Sequence, residues 1–175
     1  MTLAELLAAI AVLALLMTGM LGILEHGHRA YATGAARVEA QQNTRAALAR
    51  LAAELRHAGA GSAGFDAISI AEPQRIMMHH DADGDGLIAG NGETIVWRLA
   101  GTTLRRAAGG GAQPVVDGVE QFVLTYFDAA EVPTTSPAAV RSIGITLATR
   151  SQYALPRGGR PGAFVVATRV RLRNR

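Results

Sequence analysis

Cysteine is absent from this chain of 175 residues, so disulfides, thiolate metal sites and a cysteine nucleophile are excluded. Lysine is absent too, and all 17 basic residues are arginines. No proline occurs before Pro73, so the preceding segment lacks the residue that most strongly interrupts a helix. Aromatic residues make up only 5% of the chain, and Tyr31 is the single one before Phe65. This scarcity argues against electron conduction along stacked aromatic rings.

Acidic residues are missing from the C-terminal part of the chain. From Arg141 onward there are eight arginines and no acid, whereas residues 1–140 hold nine arginines and fourteen acids. The two parts therefore carry formal charges of +8 and −5, and the net charge is +3. Apolar residues make up 49% of the chain, so we expect a folded protein rather than a disordered one.

The longest apolar run lies at the N-terminus. Residues 6–24 are nineteen residues without a charge. As a helix they would span about 28 Å, close to the hydrocarbon thickness of a bilayer. A signal peptide fits poorly, because no basic segment precedes the run and no small-residue cleavage site follows it. The run is therefore interpreted as a membrane-spanning helix.

The helical pattern continues beyond the apolar run. Leu48, Leu51 and Leu55 recur at three- and four-residue spacing and form a leucine stripe, with arginines and glutamates mostly around it. The sequence predicts one helix over residues 1–57, apolar in its first half and amphipathic in its second. It should end around His57–Gly59 with glycine as the C-cap.

Beyond Gly59 the apolar residues alternate with polar ones, which is typical of β-strands. Turns that contain glycine or proline separate seven predicted strands: Ala67–Ala71, Arg75–His79, Glu93–Leu99, Thr102–Arg106, Val119–Phe127, Val140–Thr149 and Ala163–Leu172. We expect them to form one half-buried antiparallel sheet on the leucine stripe. The predicted fold class is α+β, with the long N-terminal helix packed on a C-terminal antiparallel β-sheet head.

An acidic loop follows the second predicted strand. Asp81, Asp83 and Asp85 match the start of an EF-hand-type calcium loop, in which alternating carboxylates converge on one cation. The bidentate glutamate of that motif stands one residue late, at Glu93. A calcium site formed by these four residues is one interpretation, and a solvated acidic turn is the other. Calcium is the only cofactor that the sequence suggests.

Two histidines adjoin the acidic loop, but the sequence does not favour a transition-metal site. His79 ends a predicted strand and His80 follows it directly, so as adjacent residues of an extended backbone their side chains should point to opposite faces. No serine–histidine–aspartate pattern, phosphate-binding loop or pair of catalytic carboxylates can be argued from the sequence. An enzyme is therefore not expected.

Arg169, Arg171, Arg173 and Arg175 alternate along the last predicted strand. Their spacing of about 6.7 Å on one face is compatible with contacts to successive phosphates. No aromatic residue lies between them, so bases would have no surface on which to stack. The favoured interpretation is a solvent-exposed face that pairs with acidic neighbours. Contact with DNA is the alternative.

The N-terminal residues Met1-Thr2-Leu3-Ala4-Glu5-Leu6-Leu7, followed by the apolar helix, resemble the mature start of a type IV pilin or type II secretion pseudopilin. That family usually begins Phe-Thr-Leu-x-Glu, and this chain has methionine in place of phenylalanine. Looser similarity to PilW-like minor pilins and minor pseudopilins runs through the head, in the segments 81–86, 92–99, 103–106, 116–122 and 141–147. The middle of the helix departs from the family, because it has glycines where many pilins have a proline.

The resemblance implies a structural subunit of a pilus-like filament. A prepilin peptidase would remove a leader, and the new N-terminal amine of Met1 would be methylated. Glu5 would be buried among apolar helices and pair with the Met1 amine of an adjacent subunit, which sets the register of assembly. The expected segments are 1–27 for the transmembrane and filament-core helix, 28–58 for its amphipathic continuation and 59–175 for the head.

The implied partners are other pilin subunits, the inner-membrane assembly platform, the prepilin peptidase and, before assembly, membrane lipid. DNA is not an expected partner under this interpretation. The chain would reside in the inner membrane of a Gram-negative bacterium and then in a periplasmic or extracellular filament. The alternative is a tip, adhesion or DNA-uptake pilin whose basic C-terminal strand contacts DNA or a surface.

Overall fold

The computed structural model describes residues 2–61, 64–150 and 163–174. Within these ranges the chain forms one long helix, α1, and eight strands. Their bounds are α1 Leu3–His57, β1 Ile68–Glu72, β2 Arg75–His79, β3 Thr94–Ala100, β4 Thr103–Ala107, β5 Ala112–Val116, β6 Val119–Phe127, β7 Ser142–Arg150 and β8 Ala163–Arg171. The chain divides into two compact units, Met1–Val38 and Glu39–Arg175. The functional segments that the sequence suggested, divided after residues 27 and 58, stay a prediction.

The first unit is described as the N-terminal part of α1, and its sequence accounts for that conformation. Alanine and leucine are strong helix formers, and no proline interrupts them. The helix also passes through four glycines, Gly19, Gly22, Gly27 and Gly34, without a break. A Cβ atom added at any of the four would meet nothing within 4 Å, so packing within the chain does not require glycine there. The predicted helix over residues 1–57 is confirmed from Leu3 to His57.

The second unit is built around the amphipathic part of α1. Six residues on one side of this part are buried: Thr44, Ala47, Leu48, Leu51, Ala52 and Leu55. Their spacing of three and four residues is that of a single helical face, so the predicted leucine stripe is confirmed. Trp97 and Phe122 are the largest fully buried side chains of the core that this face completes. The fold is therefore α+β, as predicted.

The helix ends where a glycine was expected. Gly59 has a φ of +76°, and a Cβ added there would lie 2.5 Å from the carbonyl oxygen of Asn174 and 2.9 Å from Cβ of Ala67. Only glycine fits both the left-handed backbone and this close approach. The side-chain amide of Asn174 donates to the carbonyl oxygens of Arg56 and Ala58, each at 3.3 Å. The chain end beyond β8 thus satisfies helix carbonyls that have no partner within the helix.

The strands form two antiparallel sheets, so the expectation of one sheet is wrong. One sheet has the order β1-β2-β3-β4-β5, and the other has the order β6-β7-β8. Between β5 and β6 the chain turns at Gly118, which has a φ of +70°. After this turn β6 pairs with β7 rather than with β5. Alternation of apolar residues identifies strands but does not identify their partners, which is why the sequence missed the division.

Seven of the eight strands were predicted, each with bounds within two residues of those observed. The missing strand is β5, whose sequence Ala-Gln-Pro-Val-Val contains Pro114 and lacks a clear alternation. Proline removes a donor from a strand, so it is tolerated mainly at the edge of a sheet. β5 is such an edge strand.

Candidate functional site

The apolar half of α1 presents its side chains to the surroundings on every side. Between Leu3 and Leu24 each large apolar side chain is 46% to 78% exposed: Leu3, Leu6, Leu7, Ile10, Val12, Leu13, Leu15, Leu16, Met17, Met20, Leu21, Ile23 and Leu24. A helix that is apolar all round is stable only in lipid or among other apolar helices. Among the described residues, α1 is the one helix whose length and composition allow it to span a membrane.

Glu5 and Thr2 form a capping box at the start of this helix. The backbone N–H of Thr2 donates to Oε2 of Glu5 at 2.8 Å, and the backbone N–H of Glu5 donates to Oγ1 of Thr2 at 3.3 Å. Each side chain thereby satisfies a backbone donor that the helix leaves unpaired. The spacing Thr-x-x-Glu is the sequence signal for this motif, and the sequence interpretation did not use it. Met1, predicted as the methylated partner in assembly, lies outside the described residues.

The acidic loop brings its four predicted ligands together. Ligand oxygens of Asp81, Asp83, Asp85 and Glu93 all lie within 4.8 Å of one another. Glu93 therefore reaches the three aspartates although it stands one residue late for an EF-hand loop. Asp81 and Glu93 are buried, whereas Asp83 and Asp85 are exposed. Oxygen ligands of this number and charge suit calcium.

Backbone donors of the loop already bind these carboxylates. Asp81 accepts from the N–H groups of Gly84 and Gly86, at 2.7 and 3.1 Å. Glu93 accepts from the N–H groups of Ala82 and Gly90, at 3.1 and 2.5 Å. These contacts also fit the other interpretation of the sequence, an acidic turn whose side chains cap its own backbone. The calcium site stays a prediction.

Calcium should raise the melting temperature of the chain if the four carboxylates bind it. At a concentration a hundred times its Kd, a ligand stabilises by about 2.7 kcal/mol, which corresponds to roughly 5–10 °C for a chain of this size. The measurement is thermal unfolding of the full chain in detergent micelles, followed by the fluorescence of its single tryptophan, in calcium and in EDTA at fixed ionic strength.

Asp83→Asn is the matched control for the calcium measurement. Asparagine can keep the hydrogen bond that Oδ1 of Asp83 accepts from the N–H of Asp85, at 3.1 Å, while it removes one ligand charge. The calcium effect should shrink in this variant. A melting temperature that is the same in calcium and in EDTA for the unchanged chain would show that the loop is only a capped turn.

His79 is held by hydroxyl groups rather than by acidic residues. Its Nε2 is hydrogen-bonded to Oγ of Ser69 at 2.8 Å, and its Nδ1 to Oγ1 of Thr94 at 2.9 Å. Burial lowers the pKa of the imidazole below its usual 6.5, and the charge of Asp66 opposes this shift. Neither His79 nor His80 belongs to the group of possible metal ligands that the described residues form.

The free energy of unfolding should decrease as the pH falls below about 6.5, with His79 as one source. The unfolded chain binds a proton to this imidazole more readily than the folded chain does, because the folded pKa is the lower one. Well above this range, from about pH 8, the group is neutral in both states and adds no pH dependence. Urea unfolding between pH 7.5 and 5.5, where carboxylates are ionised, measures this effect. The free energy of unfolding should change less steeply with pH in His79→Gln than in the unchanged chain. Equal slopes in the two proteins would show that His79 is not a source of the pH dependence.

The arginines of β8 lie on its exposed face, as predicted. Arg169, Arg171 and Arg173 are exposed, whereas Val170 and Leu172 between them are buried. Arg169 forms an ion pair with Glu131, stacks 4.0 Å from the ring centre of Phe127 and donates to Ser142. Arg175 lies outside the described residues.

The sequence interpretation missed a partly buried network in the second unit, in which Glu54 of α1 accepts hydrogen bonds from Trp97 and Arg106. No local signal predicts it, because Glu54 lies 43 residues before Trp97 and 52 residues before Arg106. No protein-family model matches the chain, and a comparison with curated proteins found no similar one.

Proposed function

We propose that this chain is a structural subunit of a type IV pilus-like filament, a minor pilin or a pseudopilin, which assembles through its N-terminal helix. One observation carries the proposal: the N-terminal half of α1, from Leu3 to Leu24, is apolar and exposed on every side, and the carboxylate of Glu5 lies at its start. Such a helix requires an apolar environment that the rest of the described chain does not supply. Lipid would supply it before assembly, and the helices of neighbouring subunits would supply it afterwards.

Glu5 is the residue that distinguishes the two environments. At the N-terminal end of a lipid-embedded helix, its carboxylate can remain at headgroup level and interact favourably with the helix dipole. In a filament core it would be surrounded by apolar side chains and would require a cation. The N-terminal amine of an adjacent subunit is the cation that the pilin resemblance implies. The pair would form only at one axial position of the incoming subunit, so Glu5 would set the register.

In this proposal the second unit provides surfaces for contact with other proteins and has no catalytic role. The amphipathic part of α1 is already packed in the core of the head, so its apolar face is not available to neighbours. Contacts between heads would therefore involve the sheets and their loops. The same surfaces would make the contacts that a tip, adhesion or secretion role requires.

Quantitative mass spectrometry of sheared surface filaments tests the proposal. The chain should be recovered in the filament fraction, with a methylated N-terminal residue, and its ratio to the most abundant subunit separates a minor from a major role. The inner-membrane fraction of the same cells is the reference. Recovery in the membrane fraction alone, with an unmethylated N-terminus, would indicate a membrane-anchored protein that does not assemble.

A further inference from the structure

One edge of the three-stranded sheet is open, in the sense that no strand of the described residues pairs with it. The order β6-β7-β8 makes β6 and β8 the edge strands. β6 is tied to the first sheet, because the N–H groups of Val119 and Leu124 donate to the carbonyl oxygens of Thr102 and Pro73, at 2.9 and 2.8 Å. No strand among the described residues pairs with the outer side of β8. β8 is also long, with nine residues, and it contains no proline.

The backbone of β8 directs a regular set of donors and acceptors to this open edge. Just beyond the strand, the N–H of Leu172 donates to the carbonyl oxygen of Arg141 at 2.9 Å, on the β7 side. Backbone groups of an antiparallel strand alternate between its two sides. The odd-numbered residues Val165, Ala167, Arg169 and Arg171 therefore direct their N–H and C=O groups outward. An extended chain could pair with them as an added strand.

Positive charge is concentrated around the C-terminal end of β8. Five arginines line a groove of about 470 Å³, namely Arg56, Arg141, Arg169, Arg171 and Arg173, and no acidic residue lines it. The side chains of Arg56, Arg171 and Arg173 form no hydrogen bond or ion pair with the rest of the described chain. Because Arg56 comes from α1 and Arg141 precedes β7, the charge is gathered from three elements rather than from the edge strand alone.

A smaller, mostly apolar groove lies between β8 and α1. It has a volume of about 260 Å³, and its lining includes Ala49 and Ala52 of the helix and Val166 of the strand. Arg56 lines both grooves, so they adjoin one another. A strand added to β8 would alternate its side chains between the helix side and the arginine side.

We infer that β8 is a docking edge for an extended, acidic segment of a partner protein, which adds a fourth strand to the sheet. Its small apolar side chains would face α1, and its carboxylates would face the arginines. The charge of the groove determines this choice of partner, because a second β8 would bring like charges together. The inference does not rest on assembly through the N-terminal helix, and its test does not involve Glu5.

The test measures binding of a labelled octapeptide of alternating glutamate and valine, with capped ends, to the full chain in detergent micelles. Fluorescence anisotropy gives the Kd. Arg171→Glu should weaken binding at least tenfold. Arg98→Glu, the same charge change at an exposed position in β3, should leave the Kd within twofold of the original. A peptide with lysine in place of glutamate should not bind.

Two further measurements separate strand addition from simple attraction of charge. Ala167→Pro removes an outward N–H without changing the charge, and proline is tolerated at a strand edge, so this variant should fold and lose binding. The same peptide with alternate backbone amides methylated should also fail to bind. Tryptophan fluorescence and the melting temperature confirm that each variant is folded.

Four results would overturn the inference. Equal binding of the methylated and unmethylated peptides, or equally tight binding of polyphosphate or duplex DNA, would make the groove a general anion surface. A peptide-independent dimer that Ala167→Pro abolishes would assign the edge to a second copy of the chain. Absence of any binding would mean that the arginines only protect an exposed edge from unwanted pairing.

Discussion

Replacing Glu5 with glutamine should leave the chain in the membrane but remove it from filaments. Glutamine can keep the hydrogen bond that the carboxylate accepts from the N–H of Thr2, because a capping box accepts either residue. It cannot neutralise an amine. In the proposed filament core, the Met1 amine of the adjacent subunit would then be buried without a counter-ion. That costs about 3–5 kcal/mol, or roughly a hundredfold or more in the equilibrium for adding a subunit.

Thr2→Ala is the control that separates capping from charge. It removes the hydroxyl that accepts from the N–H of Glu5, which costs about 1 kcal/mol of helix stability, and it keeps the carboxylate. This variant should enter filaments at nearly the original level. The amounts of each variant in sheared filaments and in inner membranes are compared by quantitative mass spectrometry. Normal incorporation of Glu5→Gln with failure of Thr2→Ala would show that Glu5 serves as a helix cap and has no role in register.

Removing the side chain of Glu54 should destabilise the head more than any other single change discussed above. Oε2 of Glu54 accepts from Nε1–H of Trp97 at 2.6 Å, and Oε1 accepts from Nε of Arg106 at 2.7 Å and from Nε of Arg50 at 3.2 Å. Trp97 is fully buried, and Arg106 is largely buried. Glu54→Ala would leave an indole donor and a guanidinium without their acceptor.

The expected cost is about 3–5 kcal/mol, as for other buried charges that lose one partner. For a chain of this length, that corresponds to a fall in melting temperature of roughly 10 °C. Thermal unfolding in detergent micelles, followed by Trp97 fluorescence, measures the change. Glu39→Ala, at an exposed position of the same helix, should shift the melting temperature by no more than 1–2 °C.

Glu54→Gln refines the same measurement. The amide oxygen can still accept one of the hydrogen bonds from Trp97 and Arg106. The fall in melting temperature should therefore lie between those of Glu39→Ala and Glu54→Ala. A melting temperature of Glu54→Ala equal to that of Glu39→Ala would mean that water replaces the carboxylate at no cost. In that case the network would not stabilise the contact between α1 and the strands.

The sequence was sufficient to predict those structural features that depend only on residues close together along the chain. The helix follows from strong helix formers without proline and from Gly59, which fits the left-handed turn at its end. The leucine stripe follows from a spacing of three and four residues, which places apolar side chains on one helical face. Seven strands follow from alternation, which depends only on the geometry of an extended backbone.

Features that depend on distant residues were not predictable in this way. The acidic loop is an intermediate case: the sequence indicated its four carboxylates but not that Glu93 reaches the other three. The fold of the loop between Asp85 and Glu93 brings the Glu93 carboxylate back to the three aspartates. The spacing of Thr2 and Glu5 is sufficient to predict the capping box. The pilin resemblance, by contrast, implies a role only for the charge of Glu5 and none for its hydrogen bonds.

The sequence by itself determined that the chain has a long apolar helix, an amphipathic continuation, a strand-rich head and a basic C-terminus. Each of these depends on residue type and on spacing over a few positions. Only the tertiary structure decided that the strands form two sheets, that Glu54 joins Trp97 and Arg106, and that the arginines of β8 meet Arg56 beside an open edge. Those outcomes depend on which distant segments pack together, and packing is selected by the shape and hydrogen bonding of the whole core rather than by local pattern.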